Sequence, residues 1–253
     1  MSRWRGVLFD KDGTLIDFNA TWVPATVDTA KAVAAMAHAG VDALAEREAL
    51  ASRLVSLIGY DMATRTLDPA SLLARGSLGE IAALWARAAG IEAMRGAIER
   101  IGLEFRDRAV GMASPLFPLA DVFGRLRAQG LRLGVATMDS TQSANMTFAS
   151  LKVDHLLDFV TGFDGGHGEK PGPGMVHGFC ASVGIRPSEV IVVGDSQHDM
   201  AMAKAAGAGL AVAVLSGVAG HDHLIDSADE VIHGAADLEK LLHRLAGTSR
   251  PLG

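Results

Sequence analysis

Six short β-rich runs dominate the sequence: Gly6 to Asp10, Leu131 to Thr137, Asp158 to Thr161, Val190 to Gly194, Leu210 to Leu215 and Glu230 to Ile232. Most are unbroken stretches of valine, isoleucine, leucine and phenylalanine. A strand with one wet face alternates apolar and polar residues, whereas a continuously apolar strand must be covered on both faces, as in a parallel sheet between helices. Helix-compatible stretches, Leu119 to Gln129 and Gly174 to Val183, lie between these runs. Each is followed by a glycine, Gly130 or Gly184, suited to a helix C-terminus. Strand and helix in repetition predict an α/β fold with a doubly wound, Rossmann-like parallel sheet.

Residues 18–112 interrupt that alternation. No strand is convincing there, and Ile91, Met94, Ile98, Ile101, Phe105, Ala109 and Met112 recur at spacings of three and four, which predicts one helical face. Ser77 and Glu80 form a capping-box pattern opening a helix that runs to Gly90, and Gly59-Tyr60-Asp61 reads as a break between helices. The expected organisation is an α/β core of residues 1–17 and 113–253 with an all-helical cap of residues 18–112. An insertion after a first strand is a natural lid.

The 253 residues suffice for a sizeable core, and 49% of them are hydrophobic. One cysteine, Cys180, excludes an intramolecular disulfide framework and points to a reducing compartment, most simply the cytoplasm. No apolar run approaches the ~18 residues of a membrane span, and the N-terminus has no signal-peptide pattern. A net charge of −6 with interspersed signs gives no reason to expect nucleic-acid binding. The sequence assigns no oligomeric state.

Chemistry concentrates at strand ends. Asp10 closes the first apolar run, and Asp12 lies two residues on, so in extended geometry both carboxylates point to one side. Gly13-Thr14 permits a tight turn away from the sheet. Ligands of open α/β sheets bind at the carboxyl ends of strands. On residue type alone these acids would cap a turn or solvate a strand end.

The whole string Asp10-Lys11-Asp12-Gly13-Thr14-Leu15 resembles the D-x-D-G-T-[LV] motif of the haloacid dehalogenase superfamily. Three further motifs of that family follow in order: Thr137 at the end of an apolar run, Lys170 in Gly168-Glu169-Lys170-Pro171, and Gly194-Asp195-Ser196-Gln197-His198-Asp199, which matches G-D-x-x-x-D. Taken singly, Thr137 reads as a strand-end residue, Lys170 as a loop charge, and Asp195 and Asp199 as a helix cap and a surface acid. Four motifs in order reverse those odds. With its helical insertion, the chain is similar to the phosphoglycolate phosphatase-like members.

The resemblance implies a magnesium-dependent phosphatase acting on a small phosphorylated metabolite, a phosphoglycolate-like phosphomonoester, through an aspartyl phosphate. Asp10 would be the nucleophile and Asp12 the general acid and base. Thr137, the backbone N–H of Met138 and Lys170 would hold the phosphoryl group. The metal, Mg2+, would take the Asp10 side chain, the Asp12 carbonyl and Asp195, with Asp199 either binding through water or orienting Asp195 and Lys170. Lys11 is a departure from the apolar or small residue more familiar there, and its side chain is expected to point away from the carboxylates. A phosphomutase would share this apparatus. A phosphonate hydrolase would need an imine-forming lysine in the insertion, where Lys31 is the only lysine. A non-catalytic binding module would be expected to have lost at least one of these residues. His221 and His223 form an H-x-H pair, read as a surface loop before a metal site.

Overall fold

The computed structural model describes residues 3–38, 43–68, 71–217 and 224–248. Backbone contacts divide the chain into two compact units, Met1–Phe18 with Ser114–Gly253, and Asn19–Ala113. His221 and His223 lie outside the described residues.

The first unit is built on a six-stranded sheet of β1 (Gly6–Phe9), β4 (Arg132–Ala136), β5 (Phe159–Thr161), β6 (Val190–Gly194), β7 (Leu210–Val214) and β8 (Glu230–Ile232). All neighbouring pairs are parallel, in the order β5-β4-β1-β6-β7-β8. The continuous apolar runs are explained by burial on both faces. Val7, Phe9, Leu133, Val135, Ile191, Val193, Val212 and Val214 pack into one core, with α6 (Leu119–Ala128), Phe148 of α7 (Thr141–Ser150) and α10 (Leu238–Thr248). Leu8, Ala136, Val190, Val192, Ala211 and Ala213 pack into the other, under α8 (Gly174–Val183) and α9 (Gln197–Ala206). On that second face a Cβ at Gly6 or Gly134 would press into the Phe179 ring, so glycine there lets α8 seat close to the sheet. Gly184 ends α8 in the left-handed conformation expected of its position.

The direction of winding reverses at β1. From it the chain builds β4 and β5 to one side and β6, β7 and β8 to the other. Such a switch point leaves a crevice beyond the carboxyl end of the central strand, where a ligand can be reached by loops from both sides.

The second unit consists of α1 (Phe18–Ala37), α2 (Leu44–Leu57), α3 (Leu72–Arg75), α4 (Leu78–Ala88) and α5 (Ala97–Gly111), with α1 starting at the last residue of the first unit. Ser77 and Glu80 close the expected capping box on α4. Trp85 of α4 is fully buried, stacked at 5.5 Å on Phe105 of α5, and its indole N–H donates to the Leu54 carbonyl at 2.8 Å. Two expectations are corrected. A short antiparallel pair, β2 (Tyr60–Asp61) with β3 (Thr66–Leu67), occupies a stretch read as a break. Its turn is held by Asp61, which accepts from the amides of Ala63 and Thr64, a local bond that a search for apolar runs does not register. The helical face also starts later than its spacing suggests. Gly96, with φ of 72°, stands before α5, Ala97 rather than Ile98 is buried, and Met94 and Ile98 are exposed. Among the described residues no helix is long and apolar enough to cross a membrane.

Candidate active site

The register brings the motif residues to one end of the sheet. Phe9 is level with Val135 and Val193, so Asp10, the Ala136-Thr137 end of β4 and Gly194-Asp195 leave three adjacent strands side by side. The Asp10 amide still belongs to the sheet, donating to the Val193 carbonyl at 2.8 Å. Lys170 arrives from the connection between β5 and α8, and Asp199 from the first turn of α9.

Lys170, Asp10 and Asp199 meet directly. The Lys170 Nζ donates to Asp10 Oδ1 at 2.5 Å and lies 2.6 Å from Asp199 Oδ1. The other oxygen of Asp199 accepts from the Ser196 hydroxyl at 2.6 Å and from the Ser196 amide at 3.1 Å, closing the capping box of α9. Asp195 completes the group: one ligand atom from each of Asp10, Asp195 and Asp199 lies within 4.8 Å of the others. Three glycines make room. A Cβ at Gly13 or Gly217 would collide with the Asp195 carboxylate, and one at Gly194 with that of Asp199. Gly13 has φ of 81°, which further disfavours a side chain there, and its carbonyl accepts from the Ser216 hydroxyl at 2.7 Å.

Crowded carboxylates in a dry place repel their own ionisation. Burial pushes Asp10 up to about 7; Lys170 counteracts it, while Asp199 and Asp12 add to it. Asp195 is raised well above the usual carboxylate range by burial, then by Asp10 and Asp199, against the pull of Lys170. For Lys170 burial works against the charge, but Asp10 and Asp199 outweigh it and hold the ammonium above the ordinary lysine range. With all three carboxylates ionised, they and the one ammonium would sum to −2, a state that only added positive charge would stabilise. An all-oxygen donor set with that deficit fits a hard divalent cation.

Asp12 and Lys11 form a second group, and here the expectation for Lys11 fails. Its side chain is 2% exposed, and its Nζ lies 3.0 Å from Asp12 Oδ2 and 2.8 Å from Asp139 Oδ2. The alternation that would aim it away holds only in extended chain. β1 ends at Phe9, and beyond it the backbone turns so that the Lys11 carbonyl accepts from the amides of Leu15 and Ile16. Thr137 is buried, and its hydroxyl accepts from the Asp139 amide at 3.0 Å. Met138 follows it, with its side chain exposed. Asp139, Ser196, Ser216 and Gly217 were not singled out by the sequence. For Asp139 a signal existed: it stands two residues after Thr137, as Asp12 does after Asp10.

A doubly wound α/β protein with an acidic cluster and a buried lysine at its switch point is one broad class; similarity narrows it. Residues 4–207 match the family model described as haloacid dehalogenase-like hydrolase. The phosphoglycolate phosphatases of Salmonella typhimurium strain LT2 and Escherichia coli strain K12 are each 31% identical to this chain, over 80% of it and 78% of their own lengths. Among solved structures, a HAD-superfamily hydrolase of subfamily IA from Geobacter sulfurreducens superposes with a TM-score of 0.61 at 19% identity, covering 95% of this chain and 97% of its own. A haloacid dehalogenase-like family hydrolase from Streptococcus pneumoniae gives 0.61 at 17% identity, covering 96% and 100%. The chain belongs to the haloacid dehalogenase-like hydrolases.

Proposed function

We propose that the protein is a magnesium-dependent phosphatase that hydrolyses a small phosphomonoester of the phosphoglycolate type through an aspartyl phosphate on Asp10. The observation that carries this reading is the contact of Lys170 with Asp10 beside Asp195 and Asp199: a carboxylate held by a fixed cation, within a group of acids suited to a divalent ion. The 31% identity to phosphoglycolate phosphatases supports the substrate class.

Magnesium, held by Asp10, Asp195 and the Asp12 carbonyl, would supply positive charge that offsets repulsion between the Asp10 carboxylate and an anionic phosphoryl group. Asp10 attacks phosphorus as the bond to the leaving oxygen breaks, and Asp12 gives that oxygen its proton. In the second step Asp12 takes a proton from the water that attacks the aspartyl phosphate, which returns Asp10 and releases inorganic phosphate. Lys170, the Thr137 hydroxyl and the Met138 amide hold the phosphoryl oxygens. Both oxygens of Asp199 are engaged, one by Lys170 and one by Ser196, which favours Asp199 as the residue that orients Lys170. Lys31 is exposed and paired with Asp28 at 3.7 Å, unlike the desolvated lysine that imine chemistry with a phosphonate requires.

A phosphate-release screen over phosphorylated metabolites with magnesium tests this reading, run beside Asp10→Asn and Asp12→Asn. The expected result is metal-dependent release that both substitutions nearly abolish. An isomeric phosphate as sole product would point to a mutase.

A further inference from the structure

Lys11 is a full positive charge buried one residue from the proposed nucleophile, and the two-step reaction above assigns it nothing. Two carboxylates face its ammonium, Asp12 Oδ2 at 3.0 Å and Asp139 Oδ2 at 2.8 Å. Its anchor is fixed independently of it. Asp139 is itself buried, its other carboxylate oxygen accepts from the Ser140 amide at 2.7 Å, its carbonyl accepts from the Phe163 amide at 3.2 Å, and its amide donates to Thr137 Oγ1. Asp139 therefore ties Lys11 to the loop that carries Thr137.

We propose that Lys11 is a positioning residue for Asp12, holding that carboxyl by its Oδ2 so that the transferable proton sits on Oδ1. The inference rests on the phosphatase reading for the role of Asp12, and on the Lys11–Asp139 and Lys11–Asp12 contacts for the geometry. An ammonium can only donate, so the oxygen it faces is kept as an acceptor and the carboxyl proton is confined to the other. When Asp10 bonds to phosphorus and the ester bond breaks, the proton on Oδ1 passes to the departing oxygen. When water attacks the aspartyl phosphate, Oδ1 recovers a proton from it. Without Lys11 either oxygen could carry the proton, and the carboxyl could rotate away from the leaving group. A lysine that merely neutralised buried acids would affect all substrates alike. One that aims a general acid matters in proportion to how badly the leaving group needs a proton.

The test uses the full chain with Lys11→Met, which keeps an unbranched side chain as far as Cε and removes the ammonium. It also uses Lys11→Met/Asp139→Asn, which removes both charges of the pair and covers the case where a lone Asp139 prevents folding. Turnover is compared on p-nitrophenyl phosphate, whose leaving group departs without a proton, and on the alkyl phosphate that the wild type hydrolyses fastest. The expected result is a fall in kcat of about 100-fold on the alkyl ester, approaching that of Asp12→Asn, with KM within about threefold and a fall of under about fivefold on p-nitrophenyl phosphate. Equal losses on both esters, or no loss, overturn the proposal. A crystal structure of the double variant gives a second reading that needs no turnover: the Asp12 carboxyl should leave its wild-type orientation, and an unmoved Asp12 overturns the proposal. Failure of the wild type to release phosphate from any ester would end the phosphatase reading, and the crystallographic comparison would still decide whether Lys11 positions Asp12.

Discussion

Asp199 Oδ1 lies 2.6 Å from Lys170 Nζ in an ion pair whose side chains are 1% and 2% exposed. The lysine is thereby held by a second carboxylate besides Asp10, and its contact with Asp10 does not depend on a substrate being present. Asp199→Asn keeps an oxygen for the Ser196 cap and ends the ion pair. Its kcat is expected to fall about 10- to 100-fold, and the magnesium needed for half-maximal activation to rise by about tenfold, the scale of a group behind a metal ligand. Asp195→Asn should lose metal activation altogether. Metal titration of the two variants side by side checks the order, and equal loss in both would make Asp199 a direct ligand.

Gly217 tests how tightly Asp195 is housed. A Cβ there overlaps the Asp195 carboxylate, so Gly217→Ala must displace that side chain or its own loop. Activity and magnesium response are expected to fall at least tenfold, on the order of the loss of a well-placed metal ligand, with little change in melting temperature. An alanine variant with wild-type kcat and magnesium response would show that Asp195 has no need of its present position.

The sheet was the most legible part of the fold. β6, β8 and α8 have the bounds expected of Val190 to Gly194, Glu230 to Ile232 and Gly174 to Val183; the full burial of β6 writes itself as an unbroken apolar run, and Gly184 marks the end of α8. The pair formed by Tyr60–Asp61 and Thr66–Leu67 was hidden because its turn is made by the side chain of one aspartate. In the site, Asp10, Lys170, Asp195 and Asp199 were nameable from their motifs, and the structure brings them together. The direction of Lys11 was not, since strand alternation stops at Phe9 and a long side chain can follow the turn back to Asp12. Asp139 was marked only by its spacing from Thr137, and Ser216 acts through loop geometry that no local pattern encodes.

Acid stability should depend on Asp158. It joins Arg127 of α6 and Arg132 of β4, each at 2.8 Å, and accepts from the Leu133 amide at 2.9 Å. Partial burial opposes its charge, but the Leu133 amide and the two arginines outweigh it and hold its pKa below the ordinary aspartate value. A carboxylate depressed on folding contributes stability that is fully present above its unfolded pKa, about 3.9, and lost as the pH falls through its folded value. Asp158→Asn is therefore expected to cost about 1–3 kcal/mol at neutral pH, with the gap to wild type closing below about pH 4. Denaturant melts at several pH values check this; a gap that widens in acid contradicts it.

The helical unit should hinge on Trp85. Trp85→Phe keeps the stack on Phe105 and loses the bond to the Leu54 carbonyl, at about 1 kcal/mol. Trp85→Ala empties a fully buried site, at about 3–5 kcal/mol. Urea unfolding of both variants measures the difference, and near-equal costs would mean that the hydrogen bond rather than the packing holds this region.

The covalent role of Asp10 is tested most directly by quenching the enzyme in acid during turnover of a phosphomonoester with magnesium, then mapping the phosphoryl group by peptide mass spectrometry. It is expected on the peptide containing Asp10, and both the adduct and phosphate release should disappear in Asp10→Asn. A phosphoryl group on another residue, or full phosphate release by Asp10→Asn, would contradict the account.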